Sequence, residues 1–367
     1  MLTVLLGAGW LAPAAAAVID CELDGQPVNV ANGATTEGRS GLLRCVDRDT
    51  GRLQREEQYV DGRPLGYRKQ IDYEGNVTVG AVNAKGNREG PHTTTAPDGT
   101  LRAEDMYLDG TRVGLSRRFD AQGRLRRIAF DEPPRSSIAA MAFTADGRLS
   151  ELRCAAAPRL PDDRGPCGFD GEATVELFDE RGSMTARVTH LDGRRIGFTT
   201  FRAPGVPGTS ERLEGSTLTR TVHFPEGEPR LVTVLQDGRR RSENEFARGG
   251  QRLRETSWDD GGRTGETQWY MNGSLKRREQ RHSFEGSPVL AVEDYWDTGQ
   301  LRLRGSFDER GRPLGMHQWF RESGTLGSER LYQKGVLVQR RDFDEQGRAV
   351  LEEEYFEDGS RKASKRR

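Results

Sequence analysis

The sequence predicts an all-β protein, namely an elongated array of antiparallel β-hairpins that forms a thin sheet without a large globular core. Three observations support this fold class. The chain of 367 residues contains 45 glycines, and helix interiors disfavour glycine. Turn glycines recur at a fixed step of about 24 residues. Between them, leucines and aromatic residues keep the spacing of one face of a β-strand.

The glycine series are the strongest evidence for internal repeats. One series has a step of 24 residues and consists of Gly51, Gly75, Gly99, Gly123 and Gly147. Two more series with the same step interleave with it, Gly62, Gly86, Gly110 and Gly66, Gly90, Gly114. A fixed period of this length is the signature of a repeat array.

Within each unit, a leucine and an aromatic residue lie six positions apart, which is an even number and therefore places both on one face of a strand. Between the two strands of a unit, segments such as "DGTRVG" and "RGRPLG" have the composition of hairpin turns. We expect these residues to pack the sheet: Leu101, Tyr107, Phe119, Leu301, Phe307, Leu326 and Tyr332. We expect these glycines to form its turns: Gly99, Gly110, Gly114, Gly123, Gly299, Gly311, Gly315 and Gly324.

The first residues, "MLTVLLGAGWLAPAAAAVID", predict a secretory signal over 1–17 with cleavage after Ala17. Asp20 fits poorly the small residue that a lipoprotein signal needs before Cys21. The sequence therefore predicts a periplasmic or secreted protein without an integral membrane segment after cleavage. Residues 18–50 then form an N-terminal cap.

Four cysteines are an even set for an oxidising compartment, and they lack the Cys-x-x-Cys spacing of zinc sites. We expect two disulfides, Cys21–Cys45 and Cys154–Cys167. Cysteines at equivalent places of successive hairpins lie two strands apart, about 10 Å, which is too far for a bridge. The first disulfide therefore requires an irregular cap.

The pattern divides the rest of the chain into five parts. Regular repeats occupy 51–130 and 262–360, degenerate repeats occupy 182–261, and 361–367 is a basic tail that we expect to be solvated and disordered. The irregular repeats at 131–181 contain a proline-rich cysteine loop, and a second interruption lies at 203–229. Both interruptions favour loop insertions in one continuous array over domain boundaries.

The skeleton G-x-L…Tyr-x-x-G…G…aromatic resembles the variant MORN repeat, a bacterial β-hairpin repeat found in proteins that include the YwqK-family antitoxins. The resemblance covers most of 51–367. It implies structural roles for the glycines, leucines and aromatics, and it supplies no catalytic residue. Segments such as "FDAQGRL" and "FDEQGR" also resemble the Tyr-Asp repeats of RHS-type toxin shells, whose period is shorter.

The sequence contains few candidate residues for catalysis or for binding a cofactor. The five histidines are scattered, and no nucleophile elbow, phosphate loop or dinucleotide fingerprint is present. Basic and acidic residues, 56 and 57, are interleaved, so no basic excess indicates nucleic-acid binding. We expect a protein that is not an enzyme and takes no cofactor or metal.

Adjacent aromatic pairs in the C-terminal repeats suggest a binding surface. Neighbours on a strand point to opposite faces. If Trp269, Tyr295 and Phe320 pack, their neighbours in the sequence would line the other face and contact a partner. These neighbours are Tyr270, Trp296 and Trp319. The alternative is a second layer that buries both faces.

Together, these patterns predict an exported, non-catalytic module that binds another protein, such as a toxin or an envelope component. Two alternatives remain: a structural scaffold of the bacterial cell envelope, and an RHS-type shell-like repeat protein.

Overall fold

A computed structural model describes residues 18–284 and 286–367, so the expected signal segment 1–17 lies outside the described residues. The described chain folds as antiparallel β-hairpins in two large sheets, which confirms the all-β class. Within it, no helix is long and apolar enough to span a membrane. The chain divides into two compact units: one holds sheet A, and the other holds most of sheet B.

Sheet A contains thirteen strands in the order β13-β12-β11-β10-β8-β7-β6-β5-β4-β3-β1-β2, with β9 paired to β8. A short 3₁₀ helix, Gly33–Thr35, lies between β2 and β3. The strands of sheet A are β1 Ile19–Leu23, β2 Gln26–Val28, β3 Gly41–Asp47, β4 Leu53–Val60, β5 Arg63–Ile71, β6 Val77–Val82, β7 Arg88–Thr95, β8 Leu101–Leu108, β9 Thr111–Arg112, β10 Gly114–Phe119, β11 Leu125–Glu132, β12 Arg135–Phe143 and β13 Leu149–Arg153.

Sheet B contains seventeen strands that pair in chain order from β14 to β30. They are β14 Ala173–Phe178, β15 Met184–Leu191, β16 Arg194–Ala203, β17 Val206–Glu214, β18 Thr217–His223, β19 Pro229–Gln236, β20 Arg239–Phe246, β21 Arg252–Asp259, β22 Gly262–Trp269, β23 Leu275–Phe284, β24 Ser287–Tyr295, β25 Leu301–Asp308, β26 Pro313–Phe320, β27 Leu326–Gln333, β28 Val336–Phe343, β29 Ala349–Tyr355 and β30 Arg361–Arg366.

Two kinds of turn join these strands. Two-residue turns such as Asp109-Gly110 have positive φ at both positions, 46° and 82°, which is the geometry of type I′ hairpins. Longer turns such as Asp120–Arg124 close with two backbone hydrogen bonds, and their fourth residue is glycine. The eight glycines expected in turns all have positive φ, between 66° and 89°.

The N-terminal cap explains how the first disulfide forms. β1 lies directly beside β3, and Cys21 is the register partner of Cys45 with Cα atoms 4.1 Å apart. The two cysteines are therefore on neighbouring strands, and the two-strand separation of the regular repeat does not apply to them. The second disulfide, Cys154–Cys167, is also present.

Two expectations about the irregular parts of the chain were wrong. Sheet A ends at β13 and sheet B begins at β14, so the cysteine loop between them divides two sheets rather than interrupting one. The second interruption, at 203–229, does lie within a continuous sheet. The expectation of a disordered tail was also wrong, because Arg361–Arg366 forms β30. β30 pairs with the acidic strand β29, and Arg361 forms an ion pair with Glu353 of that strand.

Buried apolar side chains gather in two small clusters rather than in one thick core. The first joins Leu23, Leu43 and Tyr59 around the cap disulfide. The second lies around Ile128 and Met141. The residues expected to pack are all half-buried: Leu101, Tyr107, Phe119, Leu301, Phe307, Leu326 and Tyr332.

Candidate interaction surface

The structure places two of the three expected contact aromatics in turns rather than on a strand face. Tyr270 directly follows β22, and Trp296 directly follows β24. Each is the first residue of a longer turn: the Tyr270 N–H donates to the carbonyl of Ser274 at 2.9 Å, and the Trp296 N–H donates to that of Gln300 at 2.8 Å. The rule that neighbours point to opposite faces fails here because both residues lie just beyond a strand end.

Both side chains then connect one turn to the next. The Tyr270 hydroxyl donates to the carbonyl of Tyr295 at 2.9 Å, and the Trp296 indole N–H donates to that of Phe320 at 3.4 Å. Arg321 repeats this arrangement at the following turn, where its guanidinium donates to the carbonyls of Phe343 and Asp344. These contacts link successive turns along one edge of sheet B, so the two aromatics have a structural role.

In several other repeats, the first residue of the longer turn is an aspartate. At Asp308, the carboxylate accepts the backbone N–H groups of Arg310 and Arg312 within its own turn, and the N–H of Arg312 lowers the pKa of this carboxyl. Tyr270 and Trp296 cannot close the turn in this way, so their side chains extend to the neighbouring turn. The sequence signal that could have indicated a turn is that Tyr270 and Trp296 occupy the aspartate position of the Asp-x-x-Gly pattern.

Trp319, the third expected contact residue, lies on the packing face. Its ring centroid is 5.9 Å from that of His317, and the Arg330 guanidinium lies over it at 4.5 Å. His317 in turn contacts the rings of Phe307 and Tyr332, at 4.9 and 5.0 Å. The three aromatics thus form no common stripe on a free face, and each of them is half-buried.

A glycine–histidine–aromatic arrangement recurs in both sheets. His92 packs over Gly80 and edge-on against Tyr107, with centroids 4.9 Å apart. His317 packs over Gly305 and against Tyr332 in the same way, and each residue of this second set lies 225 positions after its equivalent. Burial lowers the pKa of both imidazoles. The two histidines, each in a Gly-x-His segment, are therefore equivalent positions of the repeat.

Acidic side chains on the packing faces are held by arginines. Glu57 is 1% exposed and forms ion pairs with Arg55 and Arg68. In sheet B, Glu279 pairs with Arg263 and Arg277, and Arg277 continues to Asp294. Among the described residues, no group of three His, Cys, Asp or Glu side chains could hold a metal ion. These carboxylates stabilise the sheet by charge pairing.

The outer face of sheet A carries a row of exposed apolar side chains. Burial alternates along β3 to β8, with residues such as Leu43, Glu57 and His92 buried on the inner face. The apolar residues of the outer face are 36–61% exposed. We call this set the outer row: Leu42, Val60, Leu65, Tyr67, Val79, Met106 and Leu108.

Strand register brings the outer row together. β3 to β8 are six neighbouring strands, which at about 4.8 Å per strand extend about 24 Å across the sheet. Tyr67 pairs with Ala81, and Met106 pairs with Pro91, whereas the polar residues Glu89 and Thr93 of β7 pair with Ala81 and Val79. The outer row therefore consists of apolar side chains on one face with polar residues between some of them. Sequence reasoning missed it because its residues fall between the leucine and aromatic positions of the repeat.

Sheet B presents a different surface on the same type of scaffold. Among its described strand residues, the large apolar side chains that are exposed are Leu191, Met316 and Val350, which lie on well-separated strands. The residue equivalent to Val79, 225 positions later, is Arg304, which forms an ion pair with Glu293. The repeat does not require exposed apolar residues at these positions.

Comparisons with known proteins give little information. No protein-family profile matches the chain, and no curated protein matches it. Among solved structures, the chain is similar to one titled "Crystal Structure of TcdB2-TccC3-Cdc42", with 12% identity over 84% of this chain and a TM-score of 0.19. The match spans 20% of that much longer chain.

Proposed function

We propose that this chain is an exported, non-catalytic module that binds another protein through the outer row of sheet A. The observation that carries the proposal is the concentration of seven exposed apolar side chains on five of six neighbouring strands. Contiguous exposed apolar surface is typical of interaction sites, and aromatic residues dominate the energy of interfaces. Sheet B supports the proposal, because the same scaffold there carries few such residues.

Two disulfides support export, since such bonds form and persist in oxidising compartments. The apolar leader expected over 1–17 also supports export. These two observations support the proposed periplasmic or secreted location.

The non-catalytic part of the proposal rests on how polar groups are used. Buried carboxylates such as Glu57 and Glu279 are paired with arginines, and buried histidines such as His92 and His317 pack against rings. The resemblance to variant MORN repeats favours the same conclusion, because it supplies a scaffold without catalytic residues. An immunity-like or antitoxin role is the binding function that this resemblance suggests.

The test compares partner binding by two matched variants. Leu65→Ser combined with Tyr67→Ser removes the centre of the outer row, and Met316→Ser removes an exposed apolar side chain from sheet B. Partners are identified by cross-linking and mass spectrometry in the exporting cells, and the affinity of a recovered partner is then measured. Loss of affinity only in the double variant supports the proposal. Equal affinity of all three proteins, at unchanged circular dichroism, contradicts it.

A further inference from the structure

β5 presents an alternating set of charged and apolar side chains at the centre of the outer row. Arg63, Leu65, Tyr67 and Lys69 occupy every second position of this strand and therefore share the outer face. Leu65 and Tyr67 are 38% and 39% exposed. Two cations thus bracket two exposed apolar side chains along one strand.

These two cations differ from the other charged residues of the same face. Arg44 pairs with Glu56 at 3.4 Å, and Arg117 pairs with Glu104 at 2.8 Å. In the described part of the chain, neither Arg63 nor Lys69 has an acidic group within ion-pair distance. Arg63 pairs in register with Val60 of the outer row. Lys69 is half-buried and lies between Val79 of the outer row and Glu56, whose carboxylate forms its ion pair with Arg44. Both cations therefore border the apolar surface.

We propose that the outer row recognises a segment of a partner protein in which apolar side chains are bracketed by carboxylates. This inference rests on the proposed function and adds the chemistry of the partner. The apolar residues would cover Leu65 and Tyr67, while aspartates or glutamates would face Arg63 and Lys69. Complementary charges at the ends of an apolar contact fix its register and suppress wrong partners.

The geometry also sets the spacing of the partner's carboxylates. Lys69 lies six positions after Arg63, which corresponds to roughly 20 Å along an extended strand. An extended peptide that lies along β5 would place its acidic residues about six positions apart, with apolar side chains between them on the same face. A nucleic acid fits this surface poorly, because phosphates recur along its whole length and the centre of this face is apolar.

Selection from a library of random 12-residue peptides displayed on phage tests the proposal. Selection on the wild-type protein is followed by depletion on the Leu65→Ser, Tyr67→Ser variant, so that only peptides needing the outer row remain. We expect these peptides to be enriched in Asp and Glu around apolar residues. For synthetic peptides of the selected sequences, we expect Arg63→Glu with Lys69→Glu to weaken binding by at least about 30-fold, the loss typical of an interface hot spot.

Three results would overturn this inference. They are selected peptides without acidic enrichment, equal affinity of the charge-reversed variant, and a selection that yields no peptide dependent on Leu65 and Tyr67. Met316→Ser with Arg310→Glu is the matched control, because both residues are exposed in sheet B. If the double serine variant loses its cellular partner while charge reversal has no effect, the proposed function stands and only the acidic character of the partner is wrong.

Discussion

The two histidines that pack over glycines show how single residues constrain the packing of the two sheets. A Cβ atom at Gly80 or Gly305 would overlap the ring of His92 or His317, so any larger residue at these strand positions must displace the imidazole. Both glycines lie inside strands, where glycine is otherwise unfavourable. The sequence pattern did not reveal this arrangement, because it depends on a contact between neighbouring strands.

The substitution Gly80→Ala tests this contact. We expect it to lower the free energy of unfolding by about 1–3 kcal/mol, since an added methyl group must displace the imidazole of His92. Chemical denaturation monitored by circular dichroism measures the change. Gly165→Ala is the control, because a Cβ atom there meets nothing within 4 Å. Equal stability of the two variants would contradict the packing described for His92.

Buried histidines also predict a dependence of stability on pH. Burial lowers the pKa of His92, His190 and His317 below the ordinary value of about 6.5. The unfolded chain therefore binds more protons than the folded chain as pH falls below about 6.5, and stability is lost in this direction. Each group contributes at most about 1.4 kcal/mol per pH unit.

We expect the free energy of unfolding to decrease between about pH 6.5 and 5, before most carboxylates titrate. His317→Gln should reduce this slope, because its imidazole no longer takes up a proton on unfolding. Denaturation at several pH values measures the slopes of the variant and the wild type. A slope that is the same in His317→Gln as in the wild type would contradict the prediction.

At the scale of strands and turns, the sequence predicted the repeat well and the aromatic positions poorly. Glycine spacing predicts the hairpins, and the even spacing of Leu326 and Tyr332 places both on one face of β27. The same parity rule misplaced Tyr270 and Trp296, because it holds only within a strand and both residues lie one position beyond a strand end. The bulge in the pairing at Trp319 and Phe320 breaks the rule in a third repeat.

The contacts between turns predict a specific effect for Tyr270→Phe. This change removes the hydroxyl that donates to the carbonyl of Tyr295 and retains the ring. We expect a loss of about 0.5–1.5 kcal/mol in unfolding free energy, with partner affinity unchanged. Denaturation and binding measurements on the same protein test both expectations. Tyr73→Phe, at a position that is 95% exposed, is the control for stability.

A different outcome for Tyr270→Phe would revise its role. Wild-type stability together with weakened partner binding would show that this hydroxyl belongs to an interface and not to the edge of sheet B.

At the scale of the whole molecule, composition and period predicted β-sheets without a thick core, and they did not predict where one sheet ends. The cysteine loop and the proline-rich segment at 203–229 look similar as interruptions of the period. Only the first separates two sheets, because the strands on either side of it do not pair with each other. Pairing between strands is a long-range property that the local pattern does not encode.

The two sheets also differ in surface, although they share one repeat. On the inner faces, packing and charge pairing hold residues such as His92 and Glu57. On the outer face, sheet A carries concentrated apolar side chains. We infer that the repeat supplies the scaffold and that the outer row of sheet A distinguishes this protein's binding function.

Site-specific photo-cross-linking in the exporting cells tests whether the outer row of sheet A contacts the partner. The photoreactive residue p-benzoylphenylalanine replaces Tyr67 or Met106 of the outer row in turn, and Met316 of sheet B or Trp296 at the turn edge serves for comparison. We expect one shared cross-linked protein from positions 67 and 106, and none from positions 316 and 296. A partner cross-linked from position 316 or 296 and absent from positions 67 and 106 would contradict this expectation.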